Sequence, residues 1–489
     1  MGQSMPDSHG YTRVSLRGLT FALVGVSALV AGCVQRPINP PLRAYEKNAS
    51  YEFEHLERNR GKQDDLVILA FSGGGTRAAA FAYGVLEALR RIEIKSSTGE
   101  HYRLLDEIDL ITGVSGGSFT ALAYGLYGDK LFDDYEQRFL KRDVQGAIVK
   151  RVLNPLNWGA LASKGWGRSE LAANLYDEIL FNGATFADLE RADGPAIVVG
   201  ATDLASGSRV VFVPQNFDVM CAELGSFRLA RAAAASSAVP VVLSPLTINN
   251  YGGGCGYEEP VWLKLFTKNA KPPRPAGRVL NRLGELEELD DAIEDPYFHL
   301  IDGAVADNLG LRGVLDSLEA FEALKTAGQA TPLDHVRRII IFVVNSVSTP
   351  RQDWNMAENP PAMLSILTKA AGVPVDRYAN ESVELLKDID ARWTSLREIR
   401  ASAAFENDQE WRVAEIRNAP DVDIIPIEVS FKVLADKAER DYLNELPTAF
   451  VLPAEGVDRL RAAAAKIVFA SSELRDALKN EDYRIAEPR

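Results

Sequence analysis

Apolar positions along this chain fall into two alternating textures. Leu66-Val-Ile-Leu-Ala-Phe71 is an unbroken apolar run, the kind buried on both faces of a parallel sheet. Ser72-Gly-Gly-Gly75 stops it, and from Arg77 to Ile94 apolar residues recur at helical spacing. The unit then repeats as a strand over Ile108–Val114, a glycine turn, and a helix from Gly116 to about Leu126. Strand, glycine turn, helix, strand predicts a doubly wound α/β sheet. Further strands are predicted at Ala196–Thr202, Arg209–Val213, His299–Ile301 and Arg338–Asn345, with a hairpin turn at Asp203–Ser208. Helices are predicted at Arg168–Phe181, Phe227–Ala238 and Leu309–Leu324. Residues 249–297 read as a long, mobile surface insertion, with a glycine cluster, a Lys/Pro stretch and an acidic run from Glu285 to Asp295 that forms a solvated face. Beyond residue 350 come a long helical stretch over Ala362–Leu396, a β-rich run over Asp423–Leu434 and a terminal helix over Pro453–Leu478.

Length changes this picture little: 489 residues suffice for two or three domains. The amino terminus changes it more. Arg13 and Arg17 precede the short apolar run Leu19–Gly32, and Cys33 follows. A basic region, a short apolar run and small residues before a cut site make a secretory signal, and the run is shorter than a spanning helix needs. Val30-Ala31-Gly32-Cys33 resembles a bacterial lipobox, which implies cleavage before Cys33 and lipid on its thiol. Residues 1–32 are thus expected to be a signal peptide and 33–63, polar and proline-bearing, a tether. Val34 and Gln35, with no Asp after the cysteine, favour the outer membrane facing the periplasm. The net charge is −14, and −15 without the leader, which opposes binding to nucleic acid or bare anionic headgroups. Membrane contact is therefore expected from the anchor and from local apolar surface. Cys221 and Cys255 either pair in an oxidising compartment or are unrelated buried thiols. No Cys/His group has zinc spacing, and neither a metal nor another cofactor is expected.

The chemistry concentrates in the glycine turns. Gly113-Val-Ser-Gly-Gly117 matches G-x-S-x-G, in which a serine on a sharp strand-to-helix turn is presented with its oxygen exposed. The helix that follows aims N–H groups and its positive end at charge developing there. Gly73-Gly-Gly-Thr-Arg77 also follows a strand and opens a helix, so its backbone N–H groups can converge on an oxyanion, with the Arg77 charge nearby. Gly73, Gly75 and Ala78 satisfy a dinucleotide fingerprint literally, but the next strand ends in the serine turn instead of the required acid. Two partners for Ser115 are open. His335 follows Ser115 and Asp302 in hydrolase order, yet it sits just before a strand without a catalytic-loop signature. Asp302, in Leu300-Ile-Asp-Gly-Ala304, stands at the end of a short apolar strand, with Gly303 relieving crowding beside it. Asp307 and Asn308 are expected to cap the following helix.

Gly-Gly-Gly-Thr-Arg, Gly-Val-Ser-Gly-Gly and Asp-Gly-Ala, in this order on this texture, resemble the patatin-like phospholipases over roughly residues 66–316. Arg231 to Pro240 is similar to that family's helix before its proline turn, and Ala78 departs from a spaced glycine in the pattern. The resemblance implies a three-layer α/β/α sandwich around a mostly parallel sheet, with residues 317–489 as an α+β extension that completes or covers the core. It implies Ser115 as nucleophile and Asp302 as proton acceptor in a dyad without histidine. It also implies Gly73, Gly74 and Gly75 as the oxyanion loop supported by Arg77, and Gly113, Gly117 and Gly303 as backbone of the two motifs. The implied activity is hydrolysis of fatty-acyl esters of phospholipids or related lipids through an acyl-enzyme; because a carboxylate is a weak base unless its site is dry or the bond short, the dyad is expected in an apolar cleft. The alternatives are a Ser-Asp-His esterase and a noncatalytic envelope lipoprotein.

Overall fold

The computed structural model describes residues 35–45, 65–95, 99, 101–189, 194–240, 242–259, 277–350, 353–402, 405, 414–479 and 481–487. The leader and Cys33 lie outside the described residues. Strands β1 (Asp65–Phe71), β4 (Ile108–Val114), β5 (Ala196–Asp203), β9 (Arg338–Asn345) and β10 (Asp423–Ser430) run parallel. With β6 (Arg209–Phe212), β7 (Leu246–Asn249) and β8 (Tyr297–Ile301) they form an eight-stranded sheet in the order β10-β9-β1-β4-β5-β8-β7, with β6 on β5. The short strands β2 (Ile92–Lys95), β3 (His101–Arg103) and β11 (Asp482–Ile485) make a separate antiparallel sheet.

The unbroken apolar runs form central strands because both of their faces are covered. Val67, Leu69 and Phe71 of β1 and Ile340, Phe342 and Val344 of β9 join one core. There they meet helices α1 (Thr76–Arg90), α2 (Gly116–Tyr127) and, further along, residues of the carboxy-terminal helices. Ile68 and Ala70 of β1 and Ile339, Ile341 and Val343 of β9 point into a second core on the opposite face. That alternation is the period of two of a strand, and it makes three layers, α/β/α. In chain order the other helices used below are α3 (Val144–Leu153), α4 (Arg168–Tyr176), α5 (Leu229–Ser236), α6 (Gly277–Asp290), α7 (Arg312–Thr326), α8 (Met363–Arg400) and α9 (Ala454–Ala470). Helices α7 and α8 cover the second face, whereas α9 packs on α1. Residues 317–489 thus supply two strands of the main sheet and part of both covering layers.

Three expectations are corrected. Residues 35–45 of the supposed tether are docked, not free. Asn39 exchanges hydrogen bonds with the backbone of Asn249 at the end of β7, its Nδ2 donating to O at 2.9 Å and its Oδ1 accepting from N at 2.8 Å. Leu42 N donates to Cys221 O, and Tyr45 N to Cys255 O. The described parts of 249–297 are likewise fastened: Cys221 and Cys255 are disulfide-bonded, and Arg282 of α6 donates to Arg209 O and to Asn216 Oδ1. Thirdly, the terminal helix breaks at Ser471, whose side chain caps a second short helix over Ser472–Ala477.

Candidate active site

The sharpest geometric feature is a lane shared by two strands. On β5, Val199 and Gly200 pair with both β4 and β6, so those two lie on opposite sides. Thr202 pairs with both β6 and β8, so β8 lies on the β4 side. The β4 pairing ends at Val114↔Gly200 and the β8 pairing at Ile301↔Thr202. Strand β8 therefore descends antiparallel along the lane that β4 has just left, and the two strands meet end to end opposite Ala201. The next residue of each is Ser115 and Asp302. Asp302 is at the end of an apolar strand as expected, but that strand runs against the parallel set.

Ser115 occupies φ 49°, ψ −119°, strained backbone for a residue with a side chain. The turn is held there from several sides. Ser115 N donates to Ser236 Oγ at 2.8 Å, and Ser236 Oγ donates to Gly200 O at 2.7 Å. Gly113, one residue before the end of β4, pairs with Phe71, and Gly117 lies over the Phe71 and Ser72 carbonyls. Ser115 Oγ donates to Asp302 Oδ2 at 2.8 Å. Asp302 Oδ1 accepts from Ala304 N at 2.9 Å, which fixes the carboxylate plane. Asp302 N donates to Ala238 O and Gly303 N to Ser236 O, so the helix α5 terminus clamps both halves of the pair. A Cβ at Gly303 would lie 2.3 Å from Gly200 O, so only glycine lets the acid's strand come this near β5.

The pair is buried, with Ser115 4% and Asp302 5% exposed. Burial raises the Asp302 carboxyl from its ordinary 3.8 to about 6, against the lowering effect of the Ala304 and Ser115 hydrogen bonds. A carboxylate so placed is a stronger base than one in water and still ionised at neutral pH.

The glycine turn after β1 lies alongside. Gly75 has φ 62°, and a Cβ on Gly116 would lie 2.0 Å from Gly75 O, so the two turns pack backbone to backbone. The three glycines divide differently from expectation. Gly73 N donates to Asn308 O at 2.9 Å and is engaged in holding the loop. The N–H groups of Gly74 and Gly75 donate to no acceptor among the described residues, and these two are the candidate oxyanion donors. Asn308 therefore braces the loop instead of capping α7, and Asp307 alone caps that helix through Leu311 N and Arg312 N. Arg77 holds the loop through backbone and hydroxyl acceptors. Its buried guanidinium donates to Ser346 O (2.9 Å), Leu446 O (2.7 Å) and Thr448 Oγ1 (3.0 Å), so it ties the turn to the carboxy-terminal segment. Burial lowers its pKa to about 10, which leaves it charged at neutral pH.

His335 is exposed in the turn Pro332–His335 that precedes β9. Because β9 runs parallel to β1 and β4, that turn is at the opposite end of the sheet from Ser115. His299 Nδ1 pairs with Thr247 Oγ1. Ser236 and Ser346 were missed as site residues in the sequence. The first lies within the quoted Arg231–Pro240 stretch, and the second carries no motif signal.

The sequence matches the family model described as Patatin-like phospholipase over residues 69–315. It is 28% identical over 185 residues to the cGAMP-activated phospholipase of Escherichia coli (strain TW11681), covering 36% of this chain and 47% of that protein. The chain thus spans about half the length of the curated relative it matches. Among solved structures, human GIVD cytosolic phospholipase A2 is similar with a TM-score of 0.40 at 15% identity, over 91% of this chain and 69% of that one. VipD from Legionella pneumophila is similar with a TM-score of 0.25 at 13% identity, over 92% of this chain and 77% of that one.

Proposed function

The chain belongs to the patatin-like phospholipase family, and on that premise we propose that it hydrolyses fatty-acyl esters of phospholipids or related lipids through a Ser115–Asp302 dyad. The observation that carries this reading is the 2.8 Å hydrogen bond from Ser115 Oγ to a buried carboxylate, on strained backbone beside two amides that donate to no acceptor among the described residues. Asp302 Oδ2 takes the Ser115 proton as Oγ attacks the ester carbonyl carbon. The N–H groups of Gly74 and Gly75 hold the oxyanion. Collapse breaks the bond to the alcohol, which leaves with the proton from Asp302, and the acyl group stays on Oγ. Water, deprotonated by Asp302, then attacks the acyl carbon, and the proton returns to Oγ as the fatty acid departs. The position of His335 at the far end of the sheet weighs against the Ser-Asp-His alternative, and the assembled dyad against a noncatalytic scaffold.

We further propose that the protein is anchored through lipid on Cys33 in the outer membrane, facing the periplasm. The disulfide fits an oxidising compartment. A fluorophosphonate probe tests the chemistry: labelling of Ser115, with release of fatty acid from a phospholipid panel, is expected. An unlabelled Ser115 in folded protein overturns it. Metabolic labelling with palmitate, lost in Cys33→Ser, tests the anchor.

A further inference from the structure

Between Asp143 and Glu170 the chain carries no acidic residue but has Lys150, Arg151, Lys164 and Arg168, in a protein of net charge −14. The same stretch holds an unusual concentration of exposed apolar side chains. Val149 and Leu153, one turn apart on α3, are exposed, and Leu153 is followed by Leu156 at 88% and Trp158 at 57% exposure. A basic segment with leucines and a tryptophan at its tip has the chemistry of a bilayer interface: the rings and leucines suit the acyl boundary, the lysines the phosphates.

The segment's two ends are joined through intervening residues to the loops that flank the reactive pair. At its start, Gln145 N donates to Phe450 O, the residue after Ala449, whose carbonyl lies against Gly75 and accepts from Thr76 N. At its end, Ser169 Oγ donates to Ser244 O, just past the turn whose Ala238 O holds Asp302 N. The docked amino-terminal segment also arrives here, since Arg36 Cδ packs against Gly165 so closely that a Cβ there would be 2.7 Å away.

We infer that residues 144–168 are a docking surface for an anionic lipid bilayer, with Leu153, Leu156 and Trp158 entering the acyl boundary and Lys150 and Lys164 meeting headgroup phosphates. Arg151 is paired with Glu178, and Lys150 and Lys164 leave the segment itself basic in an acidic protein. The inference goes beyond the hydrolase reading, because it stands on exposure and charge and holds whether or not Ser115 reacts.

The test uses the full chain carrying Ser115→Ala, so that lipid is not consumed, and Cys33→Ser, so that no attached lipid contributes to partitioning. The vesicles contain equal parts phosphatidylglycerol and phosphatidylcholine with brominated acyl chains. Quenching of indole fluorescence is expected, with most of it absent in Trp158→Phe. Leu153→Ser with Leu156→Ser should lower partitioning about tenfold or more. Pure phosphatidylcholine or about 0.5 M salt should weaken binding. Equal quenching with and without Trp158 overturns the inference, as does unchanged partitioning of the leucine variant. Binding to a protein partner with no vesicle quenching also overturns it. Fluorophosphonate labelling of the wild-type chain reports separately on the hydrolase reading.

Discussion

The glycine turns after β1 and β4 share one grammar, a buried strand, glycines and a helix, yet they put opposite things on show. The β4 turn strains a residue with a side chain and presents the Ser115 hydroxyl to Asp302. The β1 turn has no reactive side chain and presents the N–H groups of Gly74 and Gly75. In the proposed mechanism one supplies the nucleophile, the other a place for negative charge. A motif of this kind fixes backbone geometry, and the residue at its apex decides the chemistry.

Substitutions separate the two roles. Ser115→Ala should lower hydrolysis by about 10⁴-fold or more, with the far-ultraviolet spectrum and melting temperature retained. Asp302→Asn should cost about 10³-fold, because the proton of Ser115 loses its acceptor. In the wild type, kcat/KM should fall below about pH 6 as Asp302 is protonated. Stability supplies an independent sign. Since folding raises the Asp302 pKa from 3.8 to about 6, the wild type loses stability as pH rises from about 4 to 6 and stays lower above that. Asp302→Asn lacks this loss and should be more stable above pH 6 by up to about 3 kcal/mol, with no advantage near pH 3, read from denaturant midpoints.

The β1 turn should answer through geometry. Gly75→Ala would bring a Cβ 2.5 Å from Ala449 O at a positive φ, so the amides shift. A loss of about 10²-fold in kcat with little change in KM is expected. Equal loss in kcat and probe binding would argue instead for a collapsed site. Arg77→Lys retains charge but not the three-way fork. Activity about tenfold lower and faster amide exchange over residues 446–450 are expected. His335→Ala should stay within twofold of wild type, and a loss matching that of Asp302→Asn would revive the triad.

Much of this was legible because buried parallel strands leave unbroken apolar runs. The strands at 66–71, 108–114 and 338–345 stand within a residue of their expected bounds. Ser115 and Asp302 were readable because strained turns demand glycine around them. What was not readable is relational. That β8 occupies the lane vacated by β4 rests on two residue pairs, at Thr202 and Asp203, and no local pattern encodes it. Gly73 resembles Gly74 in every local respect, and only the Asn308 carbonyl, over two hundred residues away, engages its amide. The proline-bearing segment 35–45 has the composition of a free tether. It is docked because Asn39 can satisfy both polar groups of Asn249 at the end of β7, a match between distant residues.

The hold of Arg77 on Leu446 and Thr448 has a consequence in time. The Gly73–Gly75 turn follows the first strand among the described residues, but its brace is synthesised only after nearly all the rest of the chain. While the chain is still being made, Ser115 therefore exists well before the turn beside it can be fixed.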